Sequence, residues 1–207
     1  MGLGRKNQSE QKKVEILEAY TQCVIEHGLR DTNFETIADR LQRDRSTIYH
    51  YFKSQDELIA HWISHAISAY SDKQEAALAD IGPQARPARL VEYLFTEMHW
   101  PEYSRVMDEL MVLANHNSKA AKELKRLYTS FEGRLIRTLT AFYPNAPIPV
   151  VRAIGSSLAQ MSEGAVTFLE LGFDADRMAY ARAGATVLLS ALKQYEDLSA
   201  IDPTGLA

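Results

Sequence analysis

At 207 residues and 46% hydrophobic content, the chain is long enough for one large domain or two small ones with a substantial core. No stretch approaches the roughly 20 apolar residues a membrane span needs, and the opening MGLGRKNQSEQKK lacks the apolar segment of a signal peptide, so a cytoplasmic protein without a membrane partner is expected. The single cysteine, Cys23, excludes an intrachain disulfide, and the net charge of −4 excludes a uniformly basic polyelectrolyte.

In chain order the pattern is helical almost throughout. A first helix is expected over about Ser9–His27, after an arm at about residues 1–8, with Gly28 as a left-handed stop. Cys23 falls among Ile16, Leu17, Tyr20 and Val24 and reads as a small buried hydrophobe. Thr32 followed by Glu35 predicts a capping box opening a second helix, whose Phe34, Ile37, Ala38 and Leu41 form one apolar stripe. Asp44 is placed to cap a short third helix with Ile48 and Phe52 inward, and Ser54 with Glu57 repeats the capping pattern before a helix to about Ala79. Gly82, Pro83 and Pro87 mark a break. Further helices are expected at about Pro87–Trp100, Glu102–Asn115, Ser118–Tyr143, Pro149–Leu171 and Asp174–Leu198, and no alternating strand pattern appears. The fold class is therefore all-α.

Charge is unevenly divided. Residues 1–53 carry nine Lys or Arg against eight Asp or Glu, while the remainder carries fourteen against nineteen. Within the first part the basic residues gather at Arg5, Lys6, Lys12 and Lys13, and again at Arg40, Arg43, Arg45 and Lys53. Such clusters suit phosphate contact, and equally suit a solvated face.

Residues 32–58, TNFETIADRLQRDRSTIYHYFKSQDEL, resemble the DNA-binding signature of the TetR family of bacterial regulators, a run of the form IAxxxGVSxGTLYxHFxSKEEL. Ile37, Ala38, Thr47, Tyr49, Phe52, Ser54, Glu57 and Leu58 match it, with Asp44, Ile48 and Asp56 as near substitutions. The motif spans about an eighth of the chain, and the helix layout agrees over nearly all of it. The departures are specific. Gln42 replaces the turn glycine, Arg43 the apolar residue after it, Ser46 a small glycine, Tyr51 a histidine and Gln55 a frequent lysine. Gln42 then has to accept a backbone that costs a non-glycine residue on the order of 1 kcal/mol, and Gln55 removes one expected phosphate contact.

The resemblance implies an N-terminal three-helix, helix-turn-helix DNA-binding domain (residues 1–53) and a C-terminal helical ligand-binding and dimerisation domain (residues 54–207). By analogy, Arg45, Thr47, Tyr49 and His50 contact bases, with Ser46 beside them, and Tyr51, Lys53 and the N-terminal arm contact phosphate. The implied partners are a palindromic double-stranded DNA operator, a second copy joined through the last two helices, and an unknown small-molecule effector that releases a repressor. Gly155, Ala159 and Ser162, with Ala179, Ala183 and Val187, supply small residues for that dimer or for an internal core. Trp100, Met107, Met111, Tyr128, Met161 and Phe168 are assigned to an apolar effector pocket with His99, His116 and Glu163 as polar anchors, although the Met and aromatic residues also read as ordinary core.

His61 and His65, four apart with Glu57 a turn earlier, are too few for a metal site without a cysteine pair or HExxH pattern. No nucleophile motif, phosphate loop or dinucleotide fingerprint is present, so neither an enzyme nor a cofactor is expected. The alternative is an all-α small-molecule-binding or protein-interaction dimer that has lost operator binding.

Overall fold

The computed structural model describes residues 3–81, 87–174 and 176–199. Among these are nine α-helices: α1 Leu3–His27, α2 Phe34–Leu41, α3 Arg45–Tyr51, α4 Gln55–Asp80, α5 Pro87–Glu92, α6 Pro101–Ala114, α7 Ser118–Phe142, α8 Ile148–Glu170 and α9 Asp176–Ser199. A π-helical turn, Tyr93–Glu97, follows α5 and replaces the single helix expected to Trp100. The Met98 N–H reaches back to the Tyr93 carbonyl at 2.9 Å, which closes that wider turn. The described residues contain no strand.

They group into two compact units. One is built from the chain up to Ser71 with Pro101–Leu127, the other from Asp72–Trp100 and the chain from Tyr128 onward. These units cut the chain elsewhere than the functional boundary expected between Lys53 and Ser54.

In the first unit α1 packs against α2 and α6. Its inner face carries Ile16, Leu17, Tyr20, Cys23 and Val24, all buried. Tyr20 meets Trp62 edge to face at 5.4 Å, and the Trp62 indole N–H donates to Thr21 Oγ1 at 3.1 Å. Gly28, at φ 80°, ends α1, its N–H bonding to the Val24 carbonyl. The helix starts at Leu3, so most of the expected arm is helical; Met1, Gly2 and the side chains of Arg5 and Lys6 lie outside the described residues, as do Gly82 and Pro83.

The cap of α2 falls one residue later than the Thr32–Glu35 pattern predicts. Asn33 Oδ1 accepts from the Glu35 and Thr36 N–H groups, and Thr36 Oγ1 accepts from the Asn33 N–H. Thr32 is instead buried and donates to the Gly28 carbonyl at 2.7 Å, tying off the end of α1. At the other end of α2, Gln42 adopts φ 52°, ψ 47°, and the Arg43 N–H bonds to the Ala38 carbonyl. The left-handed turn is kept without its glycine.

In the second unit the core runs through Leu90, Leu94, Phe131, Leu135, Leu139, Val151, Leu158, Ala185, Leu189 and Leu192. Gly155 and Ser162 face this interior, with a Cβ at Gly155 meeting Ile136 Cγ1 at 2.8 Å. Of the two readings left open for the Gly155–Ser162 stripe, a dimer surface or an internal core, the packing at Gly155 and Ser162 is internal.

A non-glycine residue in the left-handed region pays a steric cost, so Gln42→Gly is expected to raise the unfolding free energy by about 1 kcal/mol. Urea unfolding reads this as a higher midpoint at constant slope. A lower midpoint would place no strain at the turn.

Candidate functional site

α3 has two sides. Ile48 and Phe52 are fully buried, while Arg45, Ser46, Tyr49, His50 and Lys53 are exposed and Thr47 and Tyr51 half-buried. Tyr49, 39% exposed, rests edge-on against Phe34 of α2 with ring centroids 4.4 Å apart. Its hydroxyl accepts from Arg45 Nη2 at 3.0 Å, one helical turn away. The two outermost side chains of α3 are thus held together, and the rest of each remains open to a partner. His50 and Tyr51 line a shallow cleft with Gln8, Ser9, Gln11, Lys12 and Glu15 of α1.

Asp44 precedes α3 as expected, but its side chain makes no capping bond; only its carbonyl accepts from the Thr47 N–H at 2.8 Å. At the C-terminus, the Lys53 ammonium donates to the Tyr49 and His50 carbonyls at 3.1 and 2.8 Å. A cation there complements the exposed carbonyls of the last turn. The Lys53 N–H bonds to Glu57 while Ser54 Oγ accepts from the Glu57 N–H, which starts α4. Gln55 turns inward, donating to the Thr32 carbonyl at 2.9 Å.

Much of the local basic charge is already matched. Arg40 forms a two-bonded pair with Glu26, whose carboxyl it holds below its ordinary range. Arg43, where an apolar plug is usual, reaches Glu15 at 3.1 Å; Lys12 pairs with the same carboxylate and Lys13 with Glu10. Among the described residues, Arg45 and Lys53 have no carboxylate partner. Burial pushes the Cys23 thiol pKa up, in keeping with a core residue. His61 lies against Phe52, and no cluster of three metal-ligating side chains occurs among the described residues.

The nine residues expected around an effector are divided between the two units. Met107, Met111 and His116 belong to the first unit; Met107 is core, whereas Met111, 51% exposed, and His116 are on its surface. In the second unit Phe168 is also exposed, stacking edge-on with Phe173. Trp100 lies under the Lys73 ammonium at 4.4 Å, His99 is 3.8 Å from Glu170, and Met161 packs on the α9 backbone at Gly184. Tyr128 and Glu163 are joined by a 3.4 Å hydrogen bond.

The second unit also encloses polar residues that the helical pattern did not single out. Gln74 of α4 is completely buried, as is Tyr93 of the π-helical turn. Arg134 of α7 donates from Nη2 to Gln74 Oε1 at 3.1 Å and from Nη1 to Ser130 Oγ at 2.9 Å. Burial raises the Tyr93 phenol pKa, with the charges of Arg134, Glu97 and Glu163 acting on the same group. Burial likewise pushes the Glu163 carboxyl up to about 7, against the lowering effect of its bond from Tyr128. One signal was available: Gln74 falls at helical spacing between the apolar Tyr70 and Leu78 of α4.

Residues 16–61 match the model of the bacterial regulatory proteins of the tetR family. In structure the chain is similar to a TetR transcription regulator from Haloarcula marismortui, with a TM-score of 0.71, 19% identity and coverage of 88% of this chain and 98% of that one. It is similar to a putative transcriptional regulator from Saccharomonospora viridis in complex with choline (TM-score 0.71, 17% identity, 87% and 96% covered). A transcriptional regulator from Rhodococcus gives a TM-score of 0.67 at 17% identity, with 88% and 96% covered. At these identities the likeness is one of fold. No curated protein matches the chain in sequence.

An acid whose folded pKa is raised binds its proton more tightly when folded. The favourable contribution of Glu163 is therefore complete below its ordinary value of 4.5 and is lost as pH rises through about 7. Glu163→Gln removes this dependence, so its stability relative to the parent is expected to increase between about pH 5 and pH 8. Urea unfolding at both pH values measures the difference, and a flat difference would show an ordinary carboxyl.

Proposed function

We infer that this chain, a tetR-family protein by its N-terminal domain, is a DNA-binding transcriptional regulator that acts as a repressor and leaves its operator when a small molecule binds. Residues 1–53 serve as the reading domain and 54–207 as the sensing and dimerising domain. What carries the reading is α3: two sealed apolar residues fix it, and Arg45, Ser46, Tyr49 and His50 face outward. A helix of this kind fits the major groove, where base edges present a distinguishable set of donors and acceptors. Arg45, Thr47, Tyr49 and His50 are assigned to bases, Tyr51 and Lys53 to phosphate.

One short helix reads few base pairs, so two copies on a palindrome, with reading helices roughly 34 Å apart or a longer helical repeat, are expected. The last two helices offer the surface for pairing. On α9, Tyr180 is 71% and Val187 68% exposed, with Ala179 and Ala183 also exposed. On α8, Gly164 leaves open space for an approaching backbone, and Phe168 is exposed. Large apolar side chains on one helix face are unusual for a lone protomer. Sensing is supported by the buried polar residues of the second unit, and one similar structure, from Saccharomonospora viridis, was solved in complex with choline.

A second reading, a ligand-binding dimer without operator binding, is favoured by one observation: Arg40 and Arg43 are neutralised by Glu26 and Glu15. Duplex binding by the Tyr49→Ala, Lys53→Ala double variant separates the two. The regulator is expected to lose about 10- to 100-fold in affinity, and Lys53→Ala alone to lower the slope of log affinity against log salt by about 1. Circular dichroism checks the fold in both variants. Equal binding by parent and double variant, at every salt concentration, favours the second reading.

A further inference from the structure

Buried polar groups in folded proteins are almost always hydrogen-bonded, because an unpaired one costs its full desolvation. The second unit carries four enclosed atoms without a partner: Gln74 Nε2, Tyr93 Oη, Arg134 Nε and Glu163 Oε1. They come from α4, the π-helical turn, α7 and α8. Gln74 Oε1 accepts from Arg134 at 3.1 Å, and the charges of Arg134 and Glu163 both act on the Tyr93 hydroxyl, so the four groups belong to one region of the second unit.

Their chemistry is lopsided. The amide Nε2–H, the guanidinium Nε–H and the phenol O–H are donors. Arg134 spends its other nitrogens on neutral oxygens, Ser130 Oγ and Gln74 Oε1, and no carboxylate lies within ion-pair distance of it among the described residues. A guanidinium whose Nε–H is unpartnered, with an amide N–H and a phenol O–H as further donors and no carboxylate in ion-pair contact with it among the described residues, is complementary to an oxyanion that accepts one bond from each. An amine or quaternary ammonium group would meet like charge there.

We propose that Arg134, Gln74 and Tyr93 anchor a small organic carboxylate in the second unit, with Glu163 meeting a hydrogen-bonding group elsewhere on the same molecule. The proposal rests on the reading of this unit as the sensing part of the protein and names the class of molecule sensed. Glu163, held toward its neutral form by burial, leaves the arginine as the dominant charge facing the ligand.

The test uses the full-length protein with acetate, butyrate, hexanoate and benzoate as probes at millimolar concentration and constant ionic strength. Butyramide, hexanamide, benzamide and hexylamine serve as uncharged and cationic controls. Thermal shift and calorimetry read binding without DNA. At least one acid is expected to raise the melting temperature while its amide and the amine do not. Arg134→Gln is expected to weaken that acid by about 30-fold or more, and Tyr93→Phe by about 10-fold. Tyr93→Phe removes an unpaired hydroxyl, so without ligand it should be at least as stable as the parent, which distinguishes a binding group from a structural one. Arg134→Lys keeps the charge, guards against misfolding of the Gln variant, and is expected to bind with intermediate affinity.

The proposal is overturned if no acid shifts the melting temperature, if hexylamine or the amides shift it as much, or if the Arg134 and Tyr93 variants keep the parent's response. A gel-shift assay on the same samples keeps the two readings apart. Duplex binding without any acid response removes the carboxylate assignment alone; an acid response without duplex binding removes the regulator reading alone.

Discussion

A helix of seven residues does not hold its shape in water by itself, so α3 exists because the rest of the first unit encloses Ile48 and Phe52. Everything the outward face presents depends on that enclosure. Phe34 supports Tyr49 from α2, and His61 meets Phe52 from α4. Behind them, Gln55 links the start of α4 to the Thr32 carbonyl and the Tyr20 hydroxyl, and Tyr20 packs on Trp62. A loss of packing at Tyr20 or Trp62 therefore reaches α3 through three layers of contact, without touching a residue of its outward face.

The electrostatics follow from what is left unpaired. Counted along the sequence, Arg40, Arg43, Arg45 and Lys53 form a basic cluster, but two of the four are matched to acids on α1. With a net charge of −4 overall, long-range attraction to a polyanion is weak. For the proposed regulator, affinity for a duplex then has to come from close contact at α3 and its flanks, which would favour recognition of base edges over non-specific sliding. Lys53 illustrates the constraint, since its ammonium is bound to the carbonyls that end α3 and must leave or share them to touch phosphate.

Where periodicity and local chemistry agree, the fold was legible in the sequence. Gly28 ends α1, Ser54 starts α4, and Ile48 and Phe52 are inside because their spacing allows one buried side. The cap of α2 shifted by one residue because Thr32 and Asn33 are both competent, and Thr32 found a better use on the Gly28 carbonyl. Gly155 and Ser162 stayed open between dimer and core because a small residue on a helix permits close approach from either side, and at Gly155 the position of Ile136 decides which. The buried polar residues of the second unit were the least legible. Met and aromatic side chains fill cores and pockets alike, whereas the informative residues, Gln74 and Arg134, lie in helices rich in exposed polar groups.

The π-helical turn has a further consequence for how the second unit came to have a polar interior. Tyr93, Leu94 and Phe95 are consecutive and all enclosed, an arrangement a regular helix resists because neighbouring side chains point a hundred degrees apart. The extra residue in the wider ring widens the inward sector, so a phenol is admitted without expelling the adjoining leucine and phenylalanine. Excising one residue there would restore the ordinary pitch and swing one of the three toward solvent. The irregularity is thus a hinge of composition rather than of motion: it lets the interior acquire a polar group while its oily lining stays whole.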